Sequence, residues 1–149
     1  MSGYFGIGIY QVKTAPNVGV LWRGAYQLGA SFIFTIGPRY KPEASDVHKT
    51  WRQIPLFRYD TFEEMLASAA YGCRLVGVEM GGDPLPGFEH PDRAVYLLGA
   101  EDSGLPKRVL EHCHAVVTIP AVRRASYNVA QAGTIVMYDR LVKYAGVRA

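Results

Sequence analysis

Three clusters in this chain join small, backbone-exposing residues to charged or amide side chains. Asn17-x-Gly19-x-x-x-Arg23 offers an amide, a glycine and a guanidinium. Gly99-x-Glu101-x-x-Gly104-Leu-Pro106 sets a carboxylate between two glycines, and Ser126-Tyr127-Asn128 sets a hydroxyl near an amide. Glycine lets backbone approach a ligand closely. A helix start presents free N–H groups that suit anions, and arginine adds a permanently charged, forked donor. Such groups bind and orient a ligand, with fixed positive charge nearby. Each also has a plain structural role: Asn17 as a helix cap, Gly19 as a packing site, Arg23 as a surface residue, and Ser126 or Asn128 as the cap of a later helix. Capping and ligand contact are compatible, because one helix end serves both.

Other chemistries lack their patterns. The chain has no Gly-Lys-Ser/Thr phosphate loop and no dinucleotide fingerprint. It has no nucleophile elbow and no Ser-His-Asp ordering. His112-Cys113-His114 suggests a metal at first, but adjacent residues point to different sides and no second ligand cluster accompanies them. No metal is expected.

The elements that must hold the clusters follow from apolar periodicity. Tyr4–Tyr10 reads as a strand, and Asn17 as the cap of a helix from Val18 to about Leu28. Ser31–Ile36, Ala94–Leu98 and Ala115–Ile119 are continuous apolar runs that suit strands buried on both faces. A short strand over Ile54–Tyr59, a helix over Phe62–Tyr71 capped by Asp60 or Thr61, and a strand over Arg74–Glu79 lie between them. Met80–Pro84 reads as the exit of that strand, and residues 39–55 and 85–92 as loops. A helix from Pro106 to about His112 and a long helix after Asn128 complete the order. The alternation predicts an α/β fold with a mostly parallel sheet flanked by helices, in one domain over residues 1–149. Ligands of such sheets lie beyond the C-terminal ends of strands, where the second and third clusters fall.

With 149 residues, 49% hydrophobic and 19% charged, the chain is long enough for one real core. No apolar run approaches the roughly 20 residues of a membrane span, and the first residues lack a signal-peptide pattern, so a cytoplasmic protein is expected. Cys73 and Cys113 read as reduced, buried thiols. The net charge of +3 is mild. Its distribution is more informative: Arg39, Lys41, His48, Lys49 and Arg52 surround Trp51, and Arg123 and Arg124 form a second group. These are either solvated loops or a phosphate-binding surface with one aromatic available for stacking.

Together and in this order, the three clusters resemble those of the SPOUT superfamily of RNA methyltransferases, in its SpoU/TrmH branch. The matching stretches are Asn17–Arg23, Leu98–Pro106, and Ile119-Pro120 through Ser126-Tyr127-Asn128-Val129-Ala130. The resemblance implies a sheet whose C-terminal part is tied in a deep trefoil knot, binding S-adenosylmethionine in a bent shape, in a homodimer with the site near the subunit interface. It implies a cofactor pocket made by Leu98, Gly99, Gly104, Ile119, Pro120, Ser126, Tyr127 and Asn128, with Met80 and Gly81 beneath it. Arg23, Asn17 and Glu101 would form the catalytic side. RNA would meet the basic loops at Arg39, Lys41, Lys49, Arg52, Arg123 and Arg124. The reaction implied is ribose 2′-O-methylation, of tRNA first and rRNA second. Within these 149 residues no separate RNA-binding domain is expected, so the basic loops, a second subunit or a partner would read the RNA.

Two departures from the family pattern stand out. Ala121-Val122-Arg123-Arg124 replaces the usual glycine, and often methionine, after Ile-Pro, and Ala130 replaces a serine. They keep open a rival expectation, a non-catalytic SPOUT-like protein that binds RNA or cofactor without methylating. Asn17, Arg23, Glu101 and Asn128 favour the enzyme.

Overall fold

The computed structural model describes residues 3–12, 15–37, 53–68, 72–100 and 103–145. Six strands form one sheet: β1 (Tyr4–Tyr10), β2 (Phe32–Ile36), β3 (Leu56–Tyr59), β4 (Arg74–Pro84), β5 (Arg93–Leu98) and β6 (Ala115–Thr118). Their order is β3-β2-β1-β5-β4-β6, and every pairing is parallel. All strands therefore end on the same edge of the sheet, and β5 slots between β1 and β4.

Both faces of the sheet are covered, which explains the unbroken apolar runs. Phe5, Ile7 and Ile9 of β1 and Ala94, Tyr96 and Leu98 of β5 face a core shared with α1 (Ala15–Leu28) and α4 (Val129–Ala145). Val95 and Leu97 point the other way, to a second core with α2 (Phe62–Ser68) and α3 (Lys107–Leu110). α1 contributes Val18, Leu21, Trp22 and Ala25, the stripe of a helix buried on one face. α2 opens with a capping box: Thr61 Oγ1 accepts the Glu64 N–H at 3.1 Å, and the Glu64 carboxylate accepts the Thr61 N–H at 3.3 Å and also the Asp60 N–H at 2.6 Å.

The sequence expectations need four corrections. α1 begins at Ala15 rather than after Asn17, because Pro16 fits the first turn of a helix, where its missing N–H costs nothing. Asn17 is thus inside the helix. β4 does not end at Glu79; it continues to Pro84 after a register shift between Val78 and Asp83. Thr118 bridges that bulge, donating from Oγ1 to the Glu79 carbonyl and accepting the Gly82 N–H, both at 2.6 Å. Residues 85–92 include a 3-10 turn at Leu85–Gly87, and α3 is one turn, closing before Glu111. Most of the loop expected over residues 39–55, with Arg39, Lys41, His48, Lys49, Trp51 and Arg52, lies outside the described residues, as do residues 69–71 at the expected end of α2.

The last turns of α4 are fastened to the connection between β4 and β5. Arg140 is fully buried; it donates to the Pro91 carbonyl at 2.7 Å, the Asp92 carbonyl at 2.9 Å and the Tyr96 hydroxyl at 3.0 Å. Its guanidinium stacks over Phe5 and Tyr144. Lys143 donates to the Leu85 and Phe88 carbonyls, and Tyr144 to that of His90. Burial near Arg140 pushes the Tyr96 hydroxyl up to about 12, the cation only partly offsetting the loss of solvent. The network fixes α4, and with it the loop that enters α4 at the opposite end.

Candidate functional site

At the shared C-terminal edge of the sheet, three neighbouring strand ends surround a cavity of about 520 Å³. β4 contributes Val78–Gly81, β5 leads into Leu98–Ala100, and β6 into Thr118–Pro120; residues 121–127 form the opposite wall. This is where an open parallel sheet places its ligand, and the volume suits a ligand of ordinary cofactor size.

The backbone of the glycine turn is shaped for close approach. Gly104 sits at φ +65°, and a side chain there would run into the Glu79 carboxylate. A Cβ on Gly99 would meet the Gly104 and Leu105 backbone. The turn closes on itself through the Gly104 N–H and the Ala100 carbonyl at 3.0 Å. Glu101, between them in sequence, lies outside the described residues.

The structure brings Met80, Gly81, Leu98, Gly99, Gly104, Ile119, Pro120, Ser126 and Tyr127 to this one cavity. Asn128 does not line it. Its Oδ1 accepts the N–H groups of Ala130 and Gln131 at 2.9 and 3.1 Å, capping α4, and its Nδ2 donates to Asn17 Oδ1 at 3.1 Å. Of the two candidate caps, Asn128 is the one that serves. That amide contact ties the foot of α4 to the first turn of α1, across most of the chain. Arg23 lies exposed further along α1 and does not line the cavity. Arg123 and Arg124 are exposed and line its wall.

The loop from residue 121 to 128 is exposed throughout, with Val122 at 96%. One bond closes its neck: the Tyr127 hydroxyl donates to the Pro120 carbonyl at 2.7 Å. The Tyr127 side chain thus gives the atypical loop an anchor. Sequence reading did not single out Glu79 and Thr118, which join the strand ends, nor Ala132, which also lines the cavity. A charge closing the apolar run Arg74–Glu79 was the available signal for Glu79; Thr118 left none.

His112, Cys113 and His114 turn to different partners. His112 Nδ1 meets the Arg108 carbonyl, the Cys113 thiol donates to the Val109 carbonyl, and His114 Nδ1 accepts the Leu75 N–H. Burial pushes the Cys113 thiol up to about 11, which keeps it a thiol rather than a ligating thiolate. Among the described residues no group of His, Cys, Asp and Glu is arranged to hold a metal, and no helix is long and apolar enough to cross a membrane.

The model of the SpoU rRNA Methylase family matches residues 5–138. The chain belongs to that family.

Known proteins and solved structures align with it at modest identity. An uncharacterized tRNA/rRNA methyltransferase of Mycolicibacterium smegmatis is 34% identical over 90 residues, covering 58% of this chain and 29% of that protein. The SpoU methyltransferase AviRb of Streptomyces viridochromogenes, solved in complex with AdoMet, is 26% identical with a TM-score of 0.80, over 97% of this chain and 59% of AviRb. A structure concerned with 2-OH methylation of C/U34 on tRNA is 23% identical with a TM-score of 0.87; the match covers 99% of this chain and 100% of that one, and it shows the shared fold. The chain spans less than half the length of the curated relatives it matches.

Proposed function

We propose that this chain is an S-adenosylmethionine-dependent RNA methyltransferase acting on a ribose 2′-hydroxyl, with tRNA as the favoured substrate and rRNA as the second. The observation that carries the reading is the cavity at the ends of β4, β5 and β6 in a chain of the SpoU family. Its volume, its closely packed glycine turn and its mixed walls suit the cofactor found in AviRb. When bound, S-adenosylmethionine supplies an electrophilic methyl carbon on a sulfonium; transfer to the ribose oxygen leaves a neutral thioether and one proton to remove.

The chain's own residues would do the rest. The strand ends and Tyr127 shape the cavity, so that methyl donor and acceptor meet in line. A guanidinium stays charged and makes a poor base. Arg23 therefore acts as a clamp on an RNA phosphate and stabilises the forming alkoxide, while the proton leaves to a phosphate oxygen or water. Asn17 orients this side through Asn128. Arg123 and Arg124 would meet the RNA backbone at the cavity mouth, and a homodimer would bring Arg23 of one copy toward the cavity of the other. Supporting the homodimer, α1 and α4 pack together and leave Val20, Tyr26 and Tyr138 exposed on their outer sides. The same reading carries a trefoil knot. Its support is the insertion of β5 between β1 and β4, with α4 fastened to the connection between β4 and β5.

Mapping 2′-O-methylation across total RNA of a deletion strain tests the reading. Loss of one methylated ribose, restored by the intact gene, is expected; an unchanged map contradicts it.

A further inference from the structure

We propose that Glu79 is a positioning residue of this cavity, whose carboxylate locks the Gly99–Gly104 turn in the shape that admits the cofactor. The proposal rests on reading the cavity as the S-adenosylmethionine site. Glu79 stands at the start of the β4 bulge, where the strand leaves its register with β6 after Val78. Its two oxygens serve two different segments. Oε1 accepts the Met80 N–H at 2.8 Å and Oε2 accepts the Leu105 N–H at 2.7 Å. Its backbone carbonyl takes the Thr118 hydroxyl at 2.6 Å, and Thr118 in turn takes the Gly82 N–H. One residue therefore joins the bulge, the exit of the glycine turn and the end of β6, which are three of the cavity's walls.

The chemistry calls for a carboxylate. Both contacts are N–H donors, so both side-chain oxygens must accept, and bonds to an ionised acceptor are stronger than neutral ones. Glutamine offers one acceptor oxygen and would turn its NH₂ toward the other donor. Gly104 completes the fit: the carboxylate occupies the space that a Cβ there would need. Among the described residues lining the cavity, Glu79 is the only acid. It is also half-buried rather than extended into solvent, as a structural acceptor would be.

Calorimetry with S-adenosylmethionine on the wild-type chain and Glu79→Gln tests this, together with steady-state kinetics and thermal unfolding. The wild type is expected to bind, and Glu79→Gln to weaken binding about tenfold. The KM for cofactor should rise by about the same factor, with kcat at saturating cofactor within about twofold and Tm within about 3 °C. If Glu79→Gln does not fold, Glu79→Asp takes its place, since a shorter acid cannot span both donors. Equal binding by wild type and variant overturns the inference alone. So does a variant that loses kcat and Tm together while its KM holds, because that pattern belongs to general support of the fold. A wild type that binds no cofactor overturns the cavity reading and this inference with it.

Discussion

Asn128 does two jobs with one amide: its oxygen caps α4 and its nitrogen holds Asn17 on α1. The cap alone is worth about 1 kcal/mol; the bridge adds the alignment of two segments that are far apart in sequence. Arg23, further along α1, is the residue on which the proposed chemistry depends most. Arg23→Lys keeps the charge but loses the planar fork, and turnover should fall about 100-fold with cofactor affinity unchanged; near-full turnover in a single-turnover assay would remove the clamp. Tyr127→Phe tests the loop neck. Removing a hydroxyl that donates to the Pro120 carbonyl should weaken cofactor binding about fivefold by calorimetry, with little change in Tm. These side chains were visible in the sequence as types and spacings. Their partners were not, because Asn17 with Asn128 and Tyr127 with the Pro120 carbonyl are contacts of the folded chain that no local pattern encodes.

β4 and α4 show where local reading stops. The strands β1, β2 and β5 were legible because strands buried on both faces need sustained hydrophobicity; β6 is as apolar but lies at the sheet edge, where only Val117 is fully buried. Met80-Gly-Gly-Asp-Pro84 reads locally as a turn, yet it stays in the sheet because Thr118 supplies the hydrogen bonds that the bulge leaves open. Arg140 looks like a surface residue of a helix and is instead fully buried against carbonyls and rings. Beside it, His90 sits between the Tyr96 hydroxyl and the Asp139 carboxylate, at 2.7 Å from each. Burial holds the His90 pKa below its ordinary value, against the pull of Asp139; Lys143 and Arg140 push the same way as burial. In the neutral ring Nδ1 accepts from Tyr96, which accepts from Arg140, and Nε2 donates to Asp139. The unfolded chain takes up this proton near pH 6.5 and the folded chain only at lower pH, so stability should fall as pH drops below about 6.5. Thermal unfolding between pH 7.5 and 5.5 should show that slope. It should flatten in His90→Gln, whose amide can accept from Tyr96 and donate to Asp139 without titrating; an equal slope in both would place the acid sensitivity elsewhere.

Across the molecule, one sheet edge gathers the ends of β4, β5 and β6, and the helices on the α1 and α4 side hold the loop that closes over them. The α/β class and parallel sheet followed from the alternation of elements. The second and third clusters marked where the ligand belongs, because strand ends in such a sheet converge there, whereas the first lies on α1 outside the cavity lining. What the alternation left open was strand order: a β5 inserted between β1 and β4 is set by packing of the whole chain. The central claim is that this edge carries methyl transfer to a ribose oxygen of RNA. Its most direct test is incubation of the purified protein with methyl-labelled S-adenosylmethionine and RNA, followed by nuclease digestion and mass spectrometry of the nucleosides. The account predicts label in a 2′-O-methylated nucleoside, foremost from tRNA, and its loss with Arg23→Lys. Label on a base, or label in no nucleoside while the cofactor binds, would contradict it.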